Sequence, residues 1–238
     1  MAVEISAAAV LINYWNDTIN SAAWITVLIV VIVSLNCFAV GVYGEAEFIF
    51  ASLKIVTIIG LLLFALVIDL GGGPSHDRLG FRYWKHPGAM REYIGTGATG
   101  RFAGFFYTLV GAAFSYSGIE MLAVAAGEAE NPRKNIPKAV RRVFWRILFF
   151  YVFGALAVGV LVPYTDPALV KGSGAAASPW VIAIKNAGIK GLDSVVNAVI
   201  LSSATSAANA NLYVGSRYLY ALAQQKQAPK FFLTCTKK

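Results

Sequence analysis

Apolar residues in this chain run in long unbroken blocks. They show neither the strict alternation of a half-buried strand nor the one-sided stripe of a helix resting on a soluble core. The stretch 22–40, AAWITVLIVVIVSLNCFAV, carries no charge at all. A hydrocarbon core about 30 Å thick takes roughly 20 helical residues to cross, and a soluble helix is seldom apolar on every face over such a length. Blocks of this kind predict a partial span over about 1–14 and full spans over about 22–42, 46–69, 103–127, 143–165 and 192–216. Each must be helical, because a backbone facing lipid has no water to satisfy its polar groups. A closed barrel is the other solution, but its strands alternate polar and apolar residues and these blocks do not. The expected fold class is therefore all-α, built of polytopic transmembrane helices.

Composition agrees with that pattern. Hydrophobic residues make up 58% of the chain and charged ones 13%, against about 25% charged in an average soluble domain, and the mean hydropathy is +0.64. The net charge of +8 comes from 20 Lys and Arg against 12 Asp and Glu. In a soluble chain that excess would raise the question of nucleic acid. Here it lies beside the spans, where basic residues set orientation and meet anionic headgroups, and no basic run interleaved with aromatics offers a nucleic-acid surface. Arg133, Lys134, Lys138, Arg141 and Arg142 crowd the short segment 128–142 and mark it as a cytoplasmic loop. Alternation from there puts the tail, with Lys226, Lys230, Lys237 and Lys238, on the same side, and 70–102 and 166–191 outside.

Several motifs are expected to carry no chemistry. Cys37 and Cys235 cannot build a disulfide framework. The sequon Asn16-Asp17-Thr18 falls on the outer side but so near the membrane that it is expected to stay unmodified. His76 and His86, in the glycine- and aromatic-rich outer loop, have no metal-ligand spacing and read as solvated. No CxxC, nucleophile elbow or phosphate-cradling glycine loop is present, so no enzyme is expected.

Ionisable groups inside spans are different. Each costs about 2.5–3.5 kcal/mol at the bilayer centre on insertion scales and needs a partner, a water-filled cavity or a function. Lys54, Glu120 and Glu4 are the candidates. Lys54, in EFIFASLKIVTIIGLLLF, lies two turns into its span. It can snorkel towards the interface, or it can be a desolvated amine that takes up and releases a proton. Glu45 and Glu47, in YGEAEF, fall where a helix is expected to begin and read as carboxylates favoured by its dipole.

The stretch 113–120, AFSYSGIE, also breaks the apolar pattern. Gly118 tolerates backbone angles other residues resist, and Ser115 and Ser117 offer hydroxyls that can re-satisfy freed backbone groups. This suits a discontinuous helix whose exposed carbonyls and half-helix terminus hold the amine or carboxylate of a polar substrate. It also suits a continuous helix packing small residues against a neighbour. Both readings stand, although packing has no use for the Glu120 carboxylate. The last span contributes Ser202, Ser203, Thr205, Ser206, Asn209 and Asn211, a small polar segment fit for close packing or a cavity wall.

Several of these segments are shared with a known family. FSYSGIEMLAVAAGEAENPRKNIPKAVRRVFWRI, GVYGEAEFIFASLKI, the outer loop GGGP…RYWKHPGA, ASPWVIAIKNAGIKGLDSVVNAVIL and SRYLYALAQQKQAPKFF occur in one order across essentially the whole chain. The sequence resembles fungal amino-acid permeases, the yeast-type branch of the amino acid–polyamine–organocation superfamily. The resemblance implies a transporter of about twelve helices whose first ten form two inverted repeats, with the first and sixth broken at the substrate site. It also implies import of amino acids across the plasma membrane, driven by a proton gradient without any other cofactor. On it, Ser115, Tyr116, Ser117, Gly118 and Ile119 are the unwound stretch that binds substrate. Glu120 closes the family's G-x-E pattern, here GIE in place of the commoner GTE. Lys54 matches the fifth-span lysine that, in proton-coupled relatives, puts its amine where sodium sits in sodium-coupled ones, and so is expected to couple protons. Ser202, Ser203, Thr205 and Ser206 are expected on the cavity wall. The chain is expected to be a fragment running from within the third span to beyond the eighth, without the first broken helix. Its implied partners are an uncharged or acidic amino acid and the lipid bilayer. The rival expectations are an amino-acid sensor without net flux and a truncated, inactive remnant.

Overall fold

In the computed structural model the described residues are 1–234, except 39, 75, 117, 119–120, 122–130 and 172–173. Among them the regular structure is helical, with no strand. The helices are α1 (Ala2–Ile12), α2 (Ser21–Cys37), α3 (Val40–Asp69), α4 (Gly97–Ser115), α5 (Pro132–Leu161), α6 (Pro167–Lys171), α7 (Pro179–Asn186) and α8 (Leu192–Gln224). By length and composition, Gly41–Asp69 and Pro132–Leu161 can each cross a membrane, and α1 and α2 are shorter apolar helices. At 1.5 Å per residue, the 30 residues of α3 or of α5 rise about 45 Å. That exceeds the hydrocarbon thickness, so both helices reach beyond it. Outward faces carry Val30, Phe48, Val56, Phe102, Val110 and Trp145, side chains that suit lipid and would be an aggregation liability in water.

Local chemistry explains the boundaries. Asn20 caps α2, its Oδ1 accepting from the Ala22 N–H at 2.9 Å. After α2 the chain turns through extended Phe38, at φ −78° and ψ 170°, so α3 begins at Val40, six residues before the start the sequence predicts. It ends in glycine. Gly71 adopts φ +87° and the Gly72 N–H donates to the Val67 carbonyl at 2.8 Å, closing the helix with a left-handed residue.

Helix α5 also starts earlier than expected. Asn131 takes a left-handed φ of 47°, and Pro132 occupies the first turn, where its missing N–H is no loss. From Pro132 onward, the basic segment read as a loop is the opening of the helix. Lys, Arg and Ala are good helix formers, and nothing between 133 and 142 outweighs them except Pro137, which is still within the first two turns.

Helices α1, α2, α3 and α7 pack against α8. Ile5 of α1, Ile32 of α2 and Ala208 of α8 form one buried cluster. Leu61 of α3, Ile184 of α7 and Val196 of α8 form another. A third joins α3 to α5 and α7 through Ala65, Ile68, Leu161 and Ile182. At the far end, Asn197 of α8 donates to the Leu11 carbonyl at 3.1 Å, and the Tyr14 hydroxyl donates to Asp193. The segment between α3 and α4 is pinned to α5 by Trp84, whose indole N–H donates to the Gly159 carbonyl at 2.9 Å.

Helix α4 stops at Ser115, midway through the span predicted over 103–127. Tyr116 is in a turn, and Gly118 takes φ +96°, the left-handed region that a glycine enters at least cost. Of AFSYSGIE, Ser117, Ile119 and Glu120 lie outside the described residues.

Candidate functional site

Glu47 and Lys54 are seven residues apart on α3, about two turns, and so share one face. Ser206 and Asn209, three apart, share one face of α8. The two faces meet. The half-buried Lys54 donates from Nζ to Ser206 Oγ at 2.9 Å, and Ser206, 1% exposed, donates to Glu47 Oε2 at 2.8 Å. Glu47 Oε1 accepts from Asn209 Nδ2 at 2.9 Å, and Asn209 Oδ1 accepts from Asn36 Nδ2 of α2 at 2.6 Å. Asn36 Nδ2 also donates to the Ile32 carbonyl at 2.9 Å. Three helices are thus tied by a continuous polar chain in an otherwise apolar setting. The Lys54 amine does not snorkel; it points to a buried hydroxyl.

Glu47 corrects an expectation. It does not cap a helix start, because α3 begins at Val40 and places it in the third turn, with its carboxylate bonded across to α8. The seven-residue spacing from Lys54 was the available signal. Asn36 was missed as well, since one amide in an apolar run gives no hint of its partner.

Of the serines and threonine expected on a cavity wall, Ser206 crosses to α3. Ser202 and Thr205 donate to carbonyls of their own helix, Val199 at 2.8 Å and Leu201 at 2.9 Å, and Ser203 is half-buried. Beside Asn36 lies a cavity of about 280 Å³, lined by Val33, Asn36, Tyr43, Tyr213, Ser216 and Arg217. Tyr43 and Tyr213 stack at 4.1 Å with 5° between planes, and the Arg217 guanidinium lies 3.2 Å from the centre of the Tyr213 ring. This is the end of α2, α3 and α8 that the charge pattern assigns to the cytoplasm.

A second group forms where α4 ends. The Ser115 hydroxyl donates to the Gly111 carbonyl at 3.1 Å, and the Ser115 carbonyl, one of those a helix end leaves without a partner, accepts from the Tyr151 hydroxyl of α5 at 2.8 Å. The Tyr116 and Tyr151 rings meet edge to face at 5.1 Å. Tyr151 gave no sign in the sequence, where an aromatic in an apolar span reads as a lipid-facing residue. Ser117, Ile119 and Glu120 lie outside the described residues. The structure brings Lys54 together with Ser206, and Ser115 together with Tyr116; α8 serves the first pair and α5 the second.

Between α3 and α4, Arg82 pairs with Asp77 at 2.7 Å, in the open. The neighbouring Tyr83 hydroxyl and the Asp77 carboxylate raise its guanidinium above the usual value. Among the described residues no three His, Cys, Asp or Glu side chains gather as metal ligands.

A family model described as amino acid permease matches residues 1–238. The chain belongs to the amino acid permease family. This permease-family chain is 52% identical over 238 residues to the proline-specific permease of Emericella nidulans, covering 98% of itself and 43% of that protein. It is 47% identical over 243 residues to a probable proline-specific permease of Schizosaccharomyces pombe, covering 100% of itself and 44% of the relative. With the dicarboxylic amino acid permease of Saccharomyces cerevisiae the identity is 47% over 237 residues, covering 96% and 39%. The chain spans about two-fifths of the length of these curated relatives. No solved structure matches it. Family and architecture together make it an integral membrane protein of polytopic helices, and the relatives' names are those of transporters, not enzymes.

Proposed function

We propose that this chain serves the import of an amino acid across the plasma membrane, coupled to protons and carried out by alternating access. The observation that carries the reading is the end of α4 at Ser115, followed by left-handed Gly118, inside an apolar stretch that would otherwise run on as one span. A helix that ends within the membrane turns carbonyls and a helix terminus towards a cavity, where they can hold a zwitterion's charged groups. Ser115, Tyr116, Ser117, Gly118, Ile119 and Glu120 form the substrate site in this reading. Tyr151 takes one freed carbonyl, that of Ser115, and so leaves the break intact without substrate.

Lys54 is the coupling residue, with Ser206 as its partner and Ser202, Ser203 and Thr205 along the same wall. As an ammonium it is a donor only, and it ties α3 to α8 through Ser206. Loss of its proton weakens that tie, which gives proton binding a way to bias the packing of α3 against α8, the kind of two-state element alternating access requires. The names of the relatives support an amino acid as cargo, and proline is the first to try. The test is accumulation of labelled proline by cells producing the protein, with and without an uncoupler that collapses the proton gradient. Accumulation that falls to equilibration with the uncoupler supports the reading. Binding without accumulation makes the protein a sensor, and accumulation indifferent to the uncoupler removes the protons from the account.

A further inference from the structure

The hydrogen bonds between α3 and α8 converge on Glu47, one arm from Lys54 through Ser206 and the other from Asn209. An ammonium has three donors and no acceptor, and an ionised carboxylate accepts only. With Lys54 donating to Ser206 Oγ, the Ser206 hydroxyl hydrogen is directed at Glu47 Oε2. With Asn209 Nδ2 donating to Glu47 Oε1, its Oδ1 is left to accept from Asn36. A cation at one end and an anion at the other are therefore joined by one hydroxyl that can both accept and donate. Asn209 fixes the carboxylate so that Oε2 faces that hydroxyl.

We propose that Glu47 is the proton acceptor for Lys54, through Ser206. The step balances. Lys54 Nζ–H gives its proton to Ser206 Oγ while the Ser206 hydroxyl proton passes to Glu47 Oε2. An ammonium and a carboxylate become a neutral amine and a carboxylic acid, and Ser206 is regenerated. Asn209 and Asn36 carry no proton; Asn209 holds Glu47, and Asn36, which holds Asn209, lines the cavity of about 280 Å³. Lys54 of α3 lies at one end of this relay; Tyr43 of α3, Tyr213 and Arg217 of α8 and Cys37 of α2 line the cavity beside Asn36, and Glu4 of α1 reaches Asn211 of α8. Among these, Glu47 is the carboxylate bonded to the hydroxyl that Lys54 reaches. An acceptor next to the amine keeps the membrane-embedded lysine from having to release its proton into lipid, where a lone charge is costly.

The inference rests on the proton-coupled reading, and one experiment separates the two. The protein is reconstituted in liposomes, and proline uptake is measured with an inward proton gradient and without one, the readout being the ratio of the two. The unaltered protein gives a ratio well above one. Glu47→Gln keeps the shape and the acceptor towards Ser206 but cannot take the proton, and it gives up the acceptor towards Asn209; its ratio is expected to fall to about one, as in Lys54→Met. Ser206→Ala should do the same and Ser206→Thr, which restores the hydroxyl, should recover most of the ratio. A Glu47→Gln ratio equal to that of the unaltered protein, with Lys54→Met at one, overturns the relay and leaves the coupling by Lys54 standing. A ratio of one in the unaltered protein overturns the coupling and the relay with it. Infrared difference spectra of the purified chain give a readout independent of transport. A carboxylic-acid band that grows as pH falls, is lost in Glu47→Gln and shifts its midpoint in Lys54→Met is expected; a band unmoved by Lys54→Met contradicts the link.

Discussion

Glu47 and Lys54 should stabilise the helix pair jointly, and a double-mutant cycle measures by how much. The bonds of 2.9 and 2.8 Å through Ser206 put the ammonium and carboxylate within roughly 6 Å of each other. At an effective dielectric of about 20, unit charges at that separation attract by about 3 kcal/mol. Both side chains are only half-buried, so screening lowers the expected coupling to about 1–2 kcal/mol. Glu47→Gln alone removes the anion and leaves the Lys54 charge inside the span uncompensated. In a Lys54→Met background the same change removes an anion that has already lost its cation, and it should be much less harmful or even stabilising. The assay is reversible unfolding of the purified chain in mixed micelles, followed by circular dichroism for the unaltered chain, each single variant and the double. A coupling of about 1–2 kcal/mol corresponds to a factor of about 5–30 in the folded-to-unfolded ratio. Changes that add to within about 0.5 kcal/mol would show that the two residues do not sense each other, and the polar chain would then be only a set of local bonds.

Three further outcomes follow from the geometry. Tyr151→Phe removes the donor to the Ser115 carbonyl and should lower stability by about 0.6 kcal/mol, the average for a hydrogen bond between membrane helices; unchanged amide exchange at Tyr116 and Met121 would count against the contact. Gly118→Ala should cost about 1–2 kcal/mol, the penalty of a side chain in left-handed backbone, since the nearest atom a Cβ would meet is Met121 Sδ at 3.9 Å and crowding is not the cause. A fully tolerated alanine would mean that the residue is not held at positive φ. Asn209→Leu strips partners from both Glu47 and Asn36 and should destabilise by about 1–3 kcal/mol, whereas Ser202→Ala, which loses only a bond to its own helix, should stay within about 0.5 kcal/mol. Equal losses in the two unfolding curves would deny the α3–α8 connection its special place.

Helix existence was legible from the chain because lipid admits so few alternatives: every long apolar block predicted a span, and α2, α3, α5 and α8 occur where the blocks lie. Boundaries were less so. The starts of α3 and α5 depend on the extended turn at Phe38 and on the Asn131–Pro132 pair, local events that hydropathy averages away. The end of α4 at Ser115 was foreshadowed by a glycine and two serines in an apolar stretch, because polar and flexible residues there need a reason. Lys54 stood out for the same cause. Glu47 did not, since a carboxylate a few residues from an expected helix start has an ordinary explanation in the helix dipole. That explanation fails once α3 is seen to begin at Val40. Tyr151 and Asn36 were hidden for a different reason: their roles are fixed by partners 36 and 173 residues away in sequence, and pattern along one helix says nothing of what the next brings opposite it.

Proton coupling is measured most directly as proton movement itself, followed with a pH-sensitive dye while proline is added to lightly buffered liposomes that hold the protein and start with no gradient. The outer solution should turn alkaline as proline is taken up, and Lys54→Met and Glu47→Gln should abolish the change. Proline uptake with no accompanying proton movement in the unaltered protein would contradict it.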